Sequence, residues 1–138
     1  MKERGSLHQK VQELCDCFAE SDTLAEMTHM QNAPATEENA LKWLALAVVH
    51  GVGNSLREIT LKKDKKGVHV AGYAPDAALP APSDETAAAV IDTLRQITHI
   101  DSAKGKSPLA FGFRGDSMTL QVKIKNEEKK QKATIQFE

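Results

Sequence analysis

Ala40-Leu41-Lys42-Trp43-Leu44-Ala45-Leu46-Ala47-Val48-Val49 is the stretch on which the fold turns. Its one charge is Lys42, so it reads as a helix that is apolar nearly all the way round. Such a helix has to be covered on more than one side. Thr36 caps it, and Glu37 and Glu38 place carboxylates in the first turn, at the positive end of the helix dipole. Gly51-Val52-Gly53-Asn54 stops it, with one glycine expected in a left-handed conformation. Leu56-Arg57-Glu58-Ile59-Thr60-Leu61 then alternates like a strand. The rest of the chain has to wrap this unit.

Working outward, residues 56–62 and the stretch through Val68, Val70 and Tyr73 read as a hairpin. Its turn is Asp64-Lys65-Lys66-Gly67. Residues 75–82 hold Pro75, Pro80 and Pro82 and read as a loop. Ser83-Asp84-Glu85 caps a helix whose apolar face is Ala87, Val90, Ile91, Leu94 and Ile97. Residues 101–108, with Gly105 and Pro108, read as a second loop. Three strands close the chain. Leu109, Phe111 and Phe113 alternate, and Gly115-Asp116 is a tight turn. Met118, Leu120, Val122 and Ile124 alternate strictly with Thr119, Gln121, Lys123 and Lys125, the pattern of a sheet with one face on a core and one in water. Asn126 to Lys130 turns, and Ala133, Ile135 and Phe137 return to the core.

Ahead of the central helix, Ser6 and Gln9 have capping-box spacing. Val11, Leu14, Cys15 and Phe18 follow as one apolar stripe. Ser21-Asp22 caps a continuation through Leu24, Met27 and Met30, which Asn32-Ala33-Pro34 ends. The expected fold class is therefore α+β. A helical extension over 1–35 precedes an α-β-β-α-β-β-β body over 36–138, whose mainly antiparallel, five-stranded sheet is packed by helices on one face.

The totals bound the function classes. The chain has 138 residues, one domain's worth, and such a length buries roughly two-thirds of its unfolded surface. A net charge of −1 gives the whole molecule no pull toward nucleic acid or an anionic membrane. The charge is uneven: residues 1–55 hold 4 basic and 8 acidic side chains, net −4, and residues 56–138 hold 14 and 11, net +3. That split allows an acidic face to meet a basic one, within the molecule or between copies. No apolar core follows Met1-Lys2-Glu3-Arg4, so no signal peptide is expected. The longest apolar run, about ten residues, is half of what a bilayer needs. Cys15 and Cys17 point about 200° apart on a helix, so they neither pair nor share a metal, and a reduced cytoplasmic setting fits.

Chemistry is hard to find. Gly105-Lys106-Ser107 has the tail of a phosphate-binding loop, but Ile100 stands where the first glycine belongs and Pro108 follows. The histidines at 8, 29, 50, 69 and 99 lack ligand spacing. His8 and Cys15 share a side, yet Cys15 also belongs to the apolar stripe, which is the stronger reading. Glu37-Glu38, Asp84-Glu85 and Glu127-Glu128 sit at helix starts or turns. Lys62, Lys63, Lys65 and Lys66 make a basic hairpin tip. With Trp43 and Tyr73 the single Trp and Tyr, base-stacking equipment is scarce. The tip, with Arg57, is a candidate contact for an acidic partner, weighed against an ordinary solvated turn. No cofactor, no metal and no nucleic acid is expected.

From residue 37 onward the element order resembles the second N-terminal domain of the type II secretion and type IV pilus assembly ATPases. In that family an apolar helix ends in a small-residue turn and runs into a strand reading Ser-Asp-Ile-His-Ile. Here Ala40 to His50 leads through Gly51-Val52-Gly53-Asn54-Ser55 to Arg57-Glu58-Ile59-Thr60-Leu61. Val68-His69-Val70-Ala71-Gly72-Tyr73 takes the place of the family's Val-Arg-Tyr-Arg-Ile-Asp-Gly. Ile97-Thr98-His99-Ile100-Asp101-Ser102-Ala103 takes that of Leu-Asp-Ile-Ala-Glu. Lys106-Ser107-Pro108-Leu109-Ala110 and Met118-Thr119-Leu120-Gln121-Val122 stand where the family has Arg-x-Pro-Gln-Asp-Gly-Arg and Val-Asp-Leu-Arg-Val. Ala133 to Phe137 matches its last short strand. Where the family has arginines that reach nucleotide phosphates, this chain has Ala71, a Phe of the 111–113 strand and Gln121. The motor domain with its P-loop is absent from the sequence. The resemblance implies a scaffold that has lost its nucleotide contacts and works by docking on a protein, through a partner or by self-association as a homodimer. An ATPase rate dependent on Arg57, Arg95 or Arg114 counts against it. The alternatives are a small adaptor or secretion chaperone holding a protein client, and an enzyme using Cys17 or a histidine.

Overall fold

The computed structural model describes residues 4–73, 76–113, 116–127 and 129–137, the side chains of 4–8, 111–113 and 116–117 excepted. Four α-helices run α1 (Arg4–Cys17), α2 (Thr23–His29), α3 (Glu37–Gly53) and α4 (Asp84–Thr98). Six strands run β1 (Glu58–Asp64), β2 (Gly67–Tyr73), β3 (Ala77–Leu79), β4 (Lys104–Phe113), β5 (Asp116–Glu127) and β6 (Lys130–Phe137). They form one antiparallel sheet in the order β3-β2-β1-β6-β5-β4. The fold is α+β, with helices on one face of the sheet.

α3 is the rod the sequence singles out. Thr36 caps it, its Oγ1 accepting from Asn39 N at 3.1 Å. Every residue from Trp43 to Gly51 is buried, so no side of the rod meets water along that length. Lys42, the one charged break, carries its ammonium over the Phe18 ring, 5.6 Å from the centroid. α1 lies along α3, with the Cys15 thiol donating to Ala45 O at 3.8 Å. α4 and β1 cover other sides. Val11, Cys15, Met27 and Met30, from the stretch expected to be an extension, pack in the same core cluster as Leu46, Ile59 and Val122. Each large aliphatic side chain buried here contributes about 1.5–3 kcal/mol relative to exposure.

Three caps fall where the sequence places them, at Asp22, Thr36 and Ser83. The hairpin between β1 and β2 turns at Asp64–Gly67, with Lys66 N donating to Asp64 Oδ1 at 2.9 Å and Gly67 at φ +119°. Five expectations change. α1 already runs from Arg4, ahead of the Ser6 cap. The left-handed residue after α3 is Ser55, at φ 54°, and neither glycine. The loop expected at 75–82 contains β3, which pairs Leu79 with Val70 and Ala77 with Gly72, so the sheet has six strands. Three proline-free residues suffice for that pairing. The loop expected at 101–108 is β4 from Lys104 onward. Pro108 fits there because β4 is an edge strand, where a missing N–H donor breaks no ladder. Glu127 and Lys130, expected in the turn after β5, are paired strand ends. The turn expected at Gly115 lies outside the described residues.

A partly buried polar cluster ties α2 to the end of α3. His50 is 7% exposed, and its Nδ1 lies 2.8 Å from Thr23 Oγ1 and 3.3 Å from Asn54 Nδ2. An amide nitrogen only donates, so Nδ1 accepts and the neutral ring keeps its proton on Nε2. Burial lowers the His50 pKa below its ordinary 6.5. The folded state then binds fewer protons than the unfolded chain. Its contribution to stability is complete above the ordinary value and is lost as pH falls through the lowered one. We expect urea midpoints to drop between neutral pH and pH about 5, and the drop to shrink in His50→Gln. An unchanged slope in the variant removes His50 as the cause.

Candidate functional site

The face of the sheet turned away from the helices is where the charge collects. Side chains alternate across a strand, so the residues between the core positions point outward. Lys104 pairs with Lys125, Lys125 with Lys132, Lys132 with Lys62, and Lys62 with His69. Four lysines and a histidine therefore stand side by side across five strands. Strands lie about 4.8 Å apart, so the four lysine Cα positions span about 14 Å. Two residues along, Lys106 pairs with Lys123, Lys123 with Thr134, and Thr134 with Thr60. Lys104, Gly105, Lys106, Lys123, Lys125 and Lys132 line a shallow groove of about 290 Å³ on this face.

Like charges directly opposite each other destabilise an antiparallel pair. Two ion pairs relieve the four-lysine row: Lys62 Nζ to Asp64 Oδ2 at 3.8 Å, and Lys125 Nζ to Glu127 Oε1 at 3.9 Å. Both are partly exposed and contribute little. The end of the face near Glu58, Tyr73 and Gln136 is mixed in charge, with Arg57 and Lys106 lining the same hollow as Glu58. Gln136 Nε2 donates to Glu58 Oε1 at 3.3 Å, Thr60 and Thr134 hydroxyls lie 3.4 Å apart, and Tyr73 is 51% exposed.

The chain matches no family model and no curated protein.

The residues expected to form one basic tip are separated. Lys62 joins the lysine row. Lys63 pairs with Val68 and Gln131 on the side of Ile59 and Leu61, at the margin of the core. Lys65 and Lys66 are exposed at the turn. Arg57 lies at the far end of β1, exposed, its backbone bonded to Tyr73 O and Phe137 N. Of the arginines weighed for nucleotide contact, Arg95 is committed to structure. Its Nε and Nη2 donate to Ile100 O and Asp101 O at 3.3 and 2.9 Å, closing the end of α4. Arg114 lies outside the described residues. Ala71 and Gln121, which the sequence resemblance would set in place of arginines, both fall in the outward series.

The remaining chemical candidates take structural places. Gly105, from the phosphate-loop-like triplet, lets β4 pass close to Ile100, whose Cγ2 would stand 2.6 Å from an added Cβ. Burial, with Asp16 beside it, pushes the Cys15 thiol up to about 12, so it behaves as a small hydrophobe. Cys17 is exposed at the rim of a groove between α1 and α3. Among the described residues no group of three or more His, Cys, Asp or Glu is placed to hold a metal ion. The His8 side chain lies outside them. No helix of the described residues is long and apolar enough to cross a membrane.

Sequence reading missed Lys104, Lys106 and Lys132 as members of one surface. The alternation Lys104-Gly105-Lys106-Ser107 carried the signal, but the prolines and glycines around it read as loop. Screening tests the repulsion within the rows. Raising NaCl from about 50 to about 500 mM is expected to stabilise the protein by about 0.5–1 kcal/mol in urea titrations. Lys125→Gln should flatten that gain. Stability that falls with added salt contradicts it.

Proposed function

We propose that this chain is a non-catalytic protein-interaction module that docks through the open face of its sheet on an acidic protein surface. The observation that carries the reading is the row of four lysines across β4, β5, β6 and β1, with the Lys106–Lys123 pair beside it on β4 and β5. A repulsion of this kind is relieved when an anionic surface covers it, so binding and stability draw on the same charges. Nucleic acid is the poorer fit. Among the described residues the groove is lined by lysines, Gly105, Ile124 and Thr134, with no aromatic side chain for a base to stack on.

We further propose that the chain is linked to type II secretion or type IV pilus assembly machinery as a cytoplasmic scaffold. Support comes from the sequence resemblance after residue 37 to the second N-terminal domain of the assembly ATPases, with β3 an added strand outside the order that resemblance implies. In that family the domain works by docking on a neighbouring motor domain. Ala71 and Gln121 stand where its phosphate-reaching arginines would be, which fits a docking role without nucleotide. Two free cysteines fit a reducing compartment.

The experiment is a fluorescence titration of the full chain with a labelled oligoglutamate peptide, beside a single-stranded oligonucleotide of equal charge. The peptide is expected to bind more tightly. The triple variant Lys104→Gln, Lys125→Gln, Lys132→Gln should weaken it about tenfold or more, with affinity falling as salt rises. Equal binding by the variant, or tighter binding of the oligonucleotide, overturns the reading.

A further inference from the structure

The acidic half of the chain lies on the opposite side of the molecule from the lysine rows. Residues 9–55 carry Glu13, Asp16, Glu20, Asp22, Glu26, Glu37 and Glu38 against Lys10 and Lys42, two bases to seven acids, net −5. All of them lie in or between α1, α2 and the first turns of α3. Glu13, Asp16, Glu20, Asp22, Glu37 and Glu38 are exposed. Between α1 and α3 runs a groove of about 410 Å³ lined by Leu14 and Leu41, with Cys17 at its rim beside the charged Glu13, Glu37, Glu38 and Lys10.

That groove has the shape and chemistry of a lysine receptor. A lysine stem lies on apolar surface while its head reaches charge or water, and here leucines meet carboxylates. The two surfaces cannot meet within one molecule. α1 and α3 pack on the core side of the sheet, and the lysine rows occupy its other face.

We propose that the occupant of the lysine face is a second copy of this chain, presenting its α1–α3 acidic surface, so that copies associate head to tail. This rests on the interaction-module reading and names the partner. The contact is heterologous: each copy offers one donor surface and one acceptor surface, and the product is a ring or an open chain of copies. Its charge pairing makes association fall with ionic strength, since exposed charges farther apart than about 10 Å are screened at 0.1 M salt.

Sedimentation velocity and light scattering on the full chain test it. At low salt and rising concentration the mass should climb above the 15.1 kDa of one copy, and high salt should return it there. One variant reverses the sheet face (Lys104→Glu, Lys106→Glu, Lys123→Glu, Lys125→Glu). The other reverses the groove (Glu13→Lys, Glu37→Lys, Glu38→Lys). Each alone should stay at the mass of one copy. Mixed in equal amounts they should associate again, because each reversed surface now faces its complement. A wild-type mass that stays at one copy throughout, or a mixture that stays apart, overturns the proposal. Where circular dichroism shows that a reversed variant has not folded, the same sites changed to Gln must abolish wild-type association, and association that persists overturns it. If the wild type stays single yet binds oligoglutamate, self-association fails and the module reading stands. If it does neither, both fail.

Discussion

Complete burial of one helix governs this structure. From Trp43 to Gly51 every residue of α3 is out of water. A rod of that kind cannot rest on a single surface, so it takes α1, α4 and β1 around it. The burial is strong enough to hold a polar atom without a partner. The Trp43 Nε1 hydrogen finds no acceptor among the described residues, at a cost of about 1–3 kcal/mol. Because the rod and its helical companions occupy one face of the sheet, the other face is left outward.

That consequence ties packing to charge. Register in a half-buried sheet is set by the side facing the core, since a one-residue slip would turn every side chain over. Ile59 opposite Ile135, and Val122 opposite Ile135, fix the alignment of β1, β6 and β5. The same alignment brings Lys62, Lys132 and Lys125 abreast. Edge protection accounts for lysines and a proline on β4, where an unpaired ladder invites other strands. It does not account for Lys123, Lys125 or Lys132, which sit on strands paired at both sides. The proposed docking on an acidic surface would account for them.

Much of the fold was legible in local chemistry. Capping residues and the apolar run announced α3 and α4, and Asp64 to Gly67 announced the hairpin, because those signals act over a few residues. The strands β3 and the start of β4 were not, since Pro80, Gly105 and Pro108 carry loop chemistry and their pairing comes from distant partners. The lysine surface was half legible. Lys123 and Lys125 showed their outward period, while Lys62 looked like part of a hairpin tip. The pairings of β4 with β5 and β5 with β6 bring Lys104, Lys125 and Lys132 abreast, and the pairing of strands some seventy residues apart, Lys62 with Lys132, extends the row to β1. The arginine and histidine candidates went the other way: Arg95 and His50 look chemical in isolation and serve a helix end and a buried link.

The most direct measurement of this account is the stability of Lys132→Glu at low ionic strength. Position 132 stands between Lys125 and Lys62 in the row. A carboxylate there turns two repulsive cross-strand pairs into attractive ones, each worth about 0.2–1 kcal/mol. The urea midpoint of the variant should rise above that of the wild type, and added salt should erase the difference. A midpoint that falls would contradict the lysine row, and with it the open face on which the functional reading stands.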